Sequence, residues 1–373
     1  MIAICGACSS SSPSVWRARR AKTRRGMNFP QLPSNRNSMR ILKRLLVLLL
    51  ALCIIAAAGL AYLLHRHPSL QPYDALRWQG GPAVSPELKV VFLGVSTVLL
   101  DDGETAILTD GFFSRPGKLQ TFLGQVAPED DAIARGLQRS GITEMKSRLA
   151  AVIPVHSHYD HAMDAPEVAR RTNALLVGSE STANVGRGWG LPESQIRIAN
   201  MREPMRFGRF TVTLFPSQHA PTGFTGGRIE APLKPPIRAA DYKEGQSYAV
   251  LVQHEKKSLL INGSAGFEPG ALKDVRAAVV MLGIGSLGTR SDDYREAYWR
   301  ETVATVQAKR VIPIHWEDFW LSSDEPMKPM PPPLDKFDVS MRFLHERGMK
   351  EGVDIRLPQQ WQTMDVWREL HTP

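Results

Sequence analysis

Residues 149–161 read Leu149-Ala150-Ala151-Val152-Ile153-Pro154-Val155-His156-Ser157-His158-Tyr159-Asp160-His161. The first seven form an unbroken apolar run, the length and composition of a strand buried on both faces. The last six hold four potential metal ligands. In extended backbone alternate residues point to one side, so His156 and His158 face together. Asp160 and His161 follow where the chain should turn into a helix. Strand ends and the loops after them are where layered α/β proteins place their chemistry.

Two more histidines stand the same way. His219 comes a few residues after the apolar run Phe210 to Phe215, and His315 comes directly after Val311-Ile312-Pro313-Ile314. Five of the chain's 10 histidines therefore fall at predicted strand ends. A lone histidine is more often a satisfied core or surface residue than a ligand. A cluster is different, because three imidazoles with one open position make a catalytic zinc site. His254, beside Glu255-Lys256-Lys257, reads as a hairpin tip without a role, and His65, His67, His345 and His371 lie in a flank, a linker, a surface helix and a tail.

Around this centre the sequence alternates short strands and helices. Strands are predicted over Leu88 to Val95, Thr97 to Leu100, Ala106 to Asp110, Ala174 to Gly178, Phe210 to Phe215, Ser247 to Val252, Ser258 to Ile261 and Ala277 to Leu282. Asp101-Asp102-Gly103 between two of them is a hairpin signal. Helices are predicted over Asp130 to Ser140, Pro166 to Thr172 and Asp293 to Lys309. A further one is predicted where Phe337, Met341 and Leu344 share a face. The mixture argues for α/β layers with helices covering sheet faces. Ala220 to Gln246, rich in Gly and Pro, is a long loop directly after His219 and could form a lid or a pocket wall. Trp316, Phe319 and Trp320 could supply an apolar wall or simply pack inside.

Of the 46 Lys and Arg, 11 lie in residues 1–66, which contain no Asp or Glu. That leaves 35 basic against 37 acidic residues beyond, so the chain's net charge of +9 belongs to its N-terminal segment. A nucleic-acid footprint on the folded part is not expected. Cys5, Cys8 and Cys53 are the only cysteines. The folded part therefore has neither a disulfide nor a thiolate ligand, which fits any compartment. Residues 1–40 read as a disordered basic segment, with Met27 and Met39 as later candidate starts. Leu45 to Leu64 is 20 residues without a charge, enough to cross the roughly 30 Å hydrocarbon core. With Arg40, Lys43 and Arg44 before it, a transmembrane helix over 41–65 would retain its N-terminal side in the cytoplasm. The rest would then face the periplasm or exterior. A cleaved signal and a secreted product is the alternative. A linker over 66–86 and one domain over 87–373 complete the expected organisation.

The H-x-H-x-D-H pattern, with His219 and His315 beyond it, resembles the metallo-β-lactamase-fold hydrolases over roughly residues 88–320. The resemblance implies an αββα sandwich with its site at one edge of two sheets. It implies that His156, His158 and His219 hold one metal ion and that Asp160, His161 and His315 hold a second. Asp110 in Leu108-Thr109-Asp110-Gly111 matches an early family aspartate. It is read as fixing a ligand histidine through its outer N–H, or alternatively as a strand-end turn residue. One departure stands out. Where the family has an aspartate bridging both metals, this chain has Ser264 in Asn262-Gly263-Ser264-Ala265-Gly266. The lost carboxylate should weaken the second site. Two zinc ions are expected, with iron or manganese, or a single ion, as alternatives.

The chemistry implied is hydrolysis by a metal-activated water, with Asp160 orienting the water or accepting its proton. Esters, lactones, amides and phosphodiesters are all open as substrates. The phrasing Ser157-His158-Tyr159-Asp160-His161-Ala162 and Ile314-His315-Trp316 is closer to the branch with lipid phosphodiesterases and sugar lactonases than to antibiotic-degrading enzymes. A small-molecule or lipid-like substrate follows, with a phosphodiesterase as one alternative. A non-catalytic, metal-stabilised membrane protein is the other.

Overall fold

Two mixed sheets of seven strands carry the fold. A computed structural model describes residues 36–79, 88–142, 148–223 and 226–370. Most of the segment expected to be disordered, with Cys5, Cys8 and Met27, lies outside the described residues, as do His371, residues 80–86 of the expected linker and residue 87.

The first sheet contains β1 (Lys89–Gly94), β2 (Thr97–Asp101), β3 (Ala106–Thr109), β4 (Leu149–Ile153), β5 (Leu175–Gly178) and β6 (Ile196–Ile198). They lie side by side in that order, and β14 (Thr363–Met364) flanks β1. β1, β2 and β3 pair antiparallel, and β3 to β6 run parallel. The second sheet repeats this plan with β7 (Met205–Phe207), β8 (Phe210–Ser217), β9 (Ser247–His254), β10 (Lys257–Asn262), β11 (Val279–Gly283), β12 (Arg310–Ile314) and β13 (Asp354–Ile355). Its first four strands are antiparallel and its last three join parallel.

Strands buried on both faces are expected to be apolar throughout rather than alternating. β4 shows why. Ala151 and Ile153 face the core between the sheets, with Val90, Phe210, Val250 and Ile261. Leu149 and Val152 face outward into a second cluster with Ile133, Leu137 and Val168. Those come from α3 (Asp130–Arg139) and α5 (Ala165–Thr172). The other sheet is covered by α7 (Asp292–Trp299) and α8 (Phe337–Glu351). Phe337, Met341 and Leu344 of α8 are buried against Val280, Leu282 and Val311. Each such buried side chain contributes about 1.5–3 kcal/mol. The layers are thus helix, sheet, sheet, helix. α7 does not run unbroken to Lys309 as its composition suggested. It widens into a π turn over Arg300–Ala304.

Two expectations need correcting. Residues 70–78 do not behave as a free linker. A 3₁₀ turn over Gln71–Leu76 sets Tyr73 edge-on to Phe337 at 5.5 Å. Trp78 is buried, and its N–H donates to Leu357 O at 2.8 Å. Leu70, Tyr73, Leu76 and Trp78 supply the apolar surface that docks. His254 is no exposed tip either. The turn is at Glu255 and Lys256, and His254 is buried at the end of β9.

The N-terminal helix α1 spans Arg36–His65. It starts before the predicted residue 41 because Arg40, Lys43 and Arg44 favour helix as well as the apolar run does. Asn37–His65 is long and apolar enough to cross a membrane, and its side chains are exposed.

Candidate metal centre

The C-terminal ends of β3, β4, β8, β10 and β12 converge at one edge of the sandwich. After β4 the chain passes through His156 and His158 into a single turn, α4 (Tyr159–Ala162), which carries Asp160 and His161. His219 arrives after β8, and His315 after β12. The donor atoms form two sets, His156, His158 and His219, and Asp160, His161 and His315, each with its atoms within 4.8 Å of one another. Each set draws two residues from one sheet and one from the other.

The nitrogens are oriented. His156 Nε2 and His158 Nδ1 face each other at 3.0 Å. His219 Nδ1 donates to Ala220 O at 2.7 Å, which leaves the lone pair on its Nε2. His161 Nδ1 donates to Asp110 Oδ2 at 2.8 Å, so its Nε2 faces Asp160 Oδ2, 3.6 Å away. His315 Nε2 lies 3.5 Å from the same oxygen. The rings of His156 and His161 are 4.0 Å apart, which joins the two sets into one cluster.

Charge and burial suit a cation. Burial first, then the neighbouring histidines, hold His156 well below the ordinary imidazole value, and His219 is brought down to about 4. Both therefore keep the neutral lone pair that a metal needs. Burial alone would raise Asp160, but His161 and His315 outweigh it and keep its carboxyl well below the usual carboxylate range. Burial would lower His161, yet Asp110 and Asp160 together raise it. The negative field that favours a proton at His161 equally favours a metal ion there.

Asp110 and His315 are both non-glycine residues in left-handed backbone, at φ 54° and 55°. Such strain persists where surrounding contacts impose it. Asp110 Oδ1 accepts from Val155 N–H at 2.9 Å while Oδ2 holds His161, which clips the end of β3 to the loop after β4. His315 N–H donates to Val95 O at 2.9 Å. Gly285 lets this happen, since a Cβ there would sit 2.7 Å from His315 O. Ser264 is buried, and its Oγ accepts from Ala220 N–H at 3.0 Å. The hydroxyl thus braces the His219 loop, and no carboxylate occupies the Asn262–Gly266 turn.

Three supporting carboxylates were not foreseen. Glu244 ties both sheets' contributions together: its backbone O accepts from Ser157 N–H at 2.9 Å and its Oε1 from His219 N–H at 3.2 Å. Glu317 is buried, accepts from Val95 N–H, and pairs with Arg115 at 3.1 Å. Asp164 accepts from the N–H groups of Phe113 and Ser114, each at 2.7 Å, and burial raises its pKa to about 6. Glu317 and Asp164 stand two and three residues after His315 and His161, a local signal of sorts. Glu244 has none. Trp316 packs on Phe337 in the core and forms no wall. Phe319 lies against His315 at 5.5 Å, and Trp320 donates to Tyr159 Oη at 3.0 Å. The loop expected after His219 is tied down in part. Leu233 N–H donates to Asn184 O, and Tyr242 is buried.

The chain is similar to several known proteins. A family model described as a beta-lactamase superfamily domain matches residues 105–316. A metal-dependent hydrolase of Pyrobaculum aerophilum is 26% identical over 248 residues, covering 64% of this chain and 88% of that protein. One from Bacillus licheniformis is 23% identical over 245 residues, covering 64% and 90%. Among solved structures, a metallo hydrolase from Ignicoccus hospitalis has a TM-score of 0.47 and 15% identity, covering 74% of this chain and 97% of that one.

Proposed function

Because the chain belongs to the beta-lactamase superfamily, we propose that it is a metal-dependent hydrolase whose two ligand sets hold two zinc ions. The observation that carries this reading is the convergence of five histidines and Asp160 into two sets of close donor atoms at one sheet edge. Relatives in Pyrobaculum and Bacillus carry the name metal-dependent hydrolase, which supports the reaction class. Imidazole and carboxylate donors without thiolate suit zinc, and also iron or manganese.

His156, His158 and His219 would hold one ion, and Asp160, His161 and His315 the other. A bound metal lowers the pKa of a water toward neutrality and polarises a substrate oxygen. The protein's own part is positioning and proton handling. Asp110 fixes the tautomer of His161, and Ala220 O fixes that of His219. Glu244 holds the His156–His158 and His219 segments in register. Asp160, kept ionised by its neighbours, accepts the proton of the attacking water. With Ser264 where the family has a carboxylate, each set would hold its ion by one donor fewer, and the second set would bind its ion more weakly.

We place α1 in the membrane as a single anchor, with the catalytic part outside the cytoplasm. Arg40, Lys43 and Arg44 before the apolar run support that direction. The substrate is a small or lipid-like ester, lactone, amide or phosphodiester. The test is turnover of p-nitrophenyl acetate, a lactone and bis-p-nitrophenyl phosphate by the full chain, before and after chelation. Chelator-sensitive hydrolysis, restored by zinc, is expected for one class. Failure of all three, and of a p-nitroanilide amide beside them, with metal bound would contradict an enzyme.

A further inference from the structure

Outside α1, the described residues expose six large apolar side chains, and three of them lie in one short helix. That helix, α2, spans Lys118–Leu123. Leu119 is 78% exposed, Phe122 64% and Leu123 83%. Its one charge, Lys118, is already paired with Asp318 at 2.5 Å and sits over the Trp320 ring. α2 therefore offers solvent an apolar face with no free charge on it.

This face is continuous with the metal centre. The Phe122 ring lies 5.4 Å from Trp320, Trp320 lies 4.6 Å from Phe319, and Phe319 lies 5.5 Å from His315. Phe319 also approaches Tyr159, the neighbour of Asp160, at 6.4 Å. Phe319, Trp320 and Tyr159 are all partly exposed. A line of aromatic rings thus leads from the exposed helix to a ligand of the second set. Had the face served only a protein partner, nothing would require it to run inward to the ligands.

We propose that α2 dips into a lipid surface, and that Phe122, Trp320 and Phe319 guide the apolar tail of an acyl-bearing substrate toward the metal centre. The lipid surface is favoured over other occupants for two reasons. The same chain carries a helix able to cross a membrane. The path also ends at reacting groups, so its occupant must bring an apolar part beside a hydrolysable one. The guiding role rests on the hydrolase reading; the docking role does not. Hydrolysis of such an ester joins the water oxygen to the acyl carbon, breaks the carbon–oxygen bond to the alcohol, and returns a proton to the departing oxygen.

Two measurements on the full chain in phosphatidylcholine vesicles test this. The first compares Leu123→Trp with Met349→Trp, a control at another exposed apolar position, in vesicles with and without brominated acyl chains. The added emission at 123 should be blue-shifted and quenched about twofold by the bromines, as for a side chain at the headgroup boundary, while that at 349 should not. Equal behaviour at the two positions overturns docking. A blue shift that grows with protein concentration and ignores bromine also overturns it, in favour of a second copy of the chain. The second measures the ratio of p-nitrophenyl laurate to p-nitrophenyl acetate turnover. Leu119→Ser, Phe122→Ser and Leu123→Ser together should lower that ratio about tenfold, through lost apolar contact. An unchanged ratio overturns guiding. If the native chain turns over neither ester but position 123 is quenched, the hydrolase reading fails for esters and docking stands.

Discussion

Two buried aspartate–histidine pairs lie at opposite ends of β3. At its C-terminal end Asp110 holds His161 at 2.8 Å, and before its start Asp102 holds His254 at 3.0 Å. All four side chains are buried. Their surroundings differ. His161 stands among four other histidines and Asp160. His254 has the Phe210 ring at 4.8 Å, and its Asp102 also takes Arg209 at 3.0 Å and the N–H groups of Glu104 and Thr105. At Asp102 the carboxylate is already engaged by neighbours, whereas at Asp110 it orients an imidazole whose other nitrogen faces further donors. A buried aspartate–histidine pair alone is therefore no sign of catalysis. Convergence of several lone pairs is.

The sharpest way to break this contrast is His158→Ala. It should remove metal from the first set and lower hydrolysis at least about 1,000-fold, with the metal-free fold retained by circular dichroism. Unchanged metal content would mean His158 is not a ligand. Next comes Asp102→Ala, which leaves His254 buried without its partner. Chemical denaturation should show a loss of about 3 kcal/mol, with metal content unchanged. Thr105 and Glu104 N–H, His254 and Arg209 together outweigh burial and lower the Asp102 pKa from 3.8. Its contribution is therefore present above that value and lost as pH falls through the lower folded one. Metal loss in this variant would erase the distinction between the pairs. The mildest is Asp110→Asn, which keeps the shape but weakens the hold on His161. Competition with a chelator should show metal affinity lowered about 10–100-fold.

Much of the contrast was legible in the sequence. The run before His156, and those before His219 and His315, mark strand ends by composition alone, and the metal-binding pattern follows them directly. The charged neighbours of His254 suggest a hairpin tip, whereas the side chain is buried. Yet Tyr248, Val250, Val252 and His254 share one parity along β9, and that period of two places His254 on the core face. Glu244 could not be found this way. Its role depends on bringing the His156–His158 loop beside the His219 loop, and no local pattern encodes that. The same holds for residues 70–78, where the docking of Tyr73 and Trp78 depends on α8 and on Leu357, nearly three hundred residues later.

The measurement to make first is the metal content of the purified full chain, prepared without chelator and read by inductively coupled plasma mass spectrometry. About two equivalents of zinc, iron or manganese per chain is the predicted result, with the second released first on mild chelation. Folded protein with no bound metal would contradict the assignment of both ligand sets.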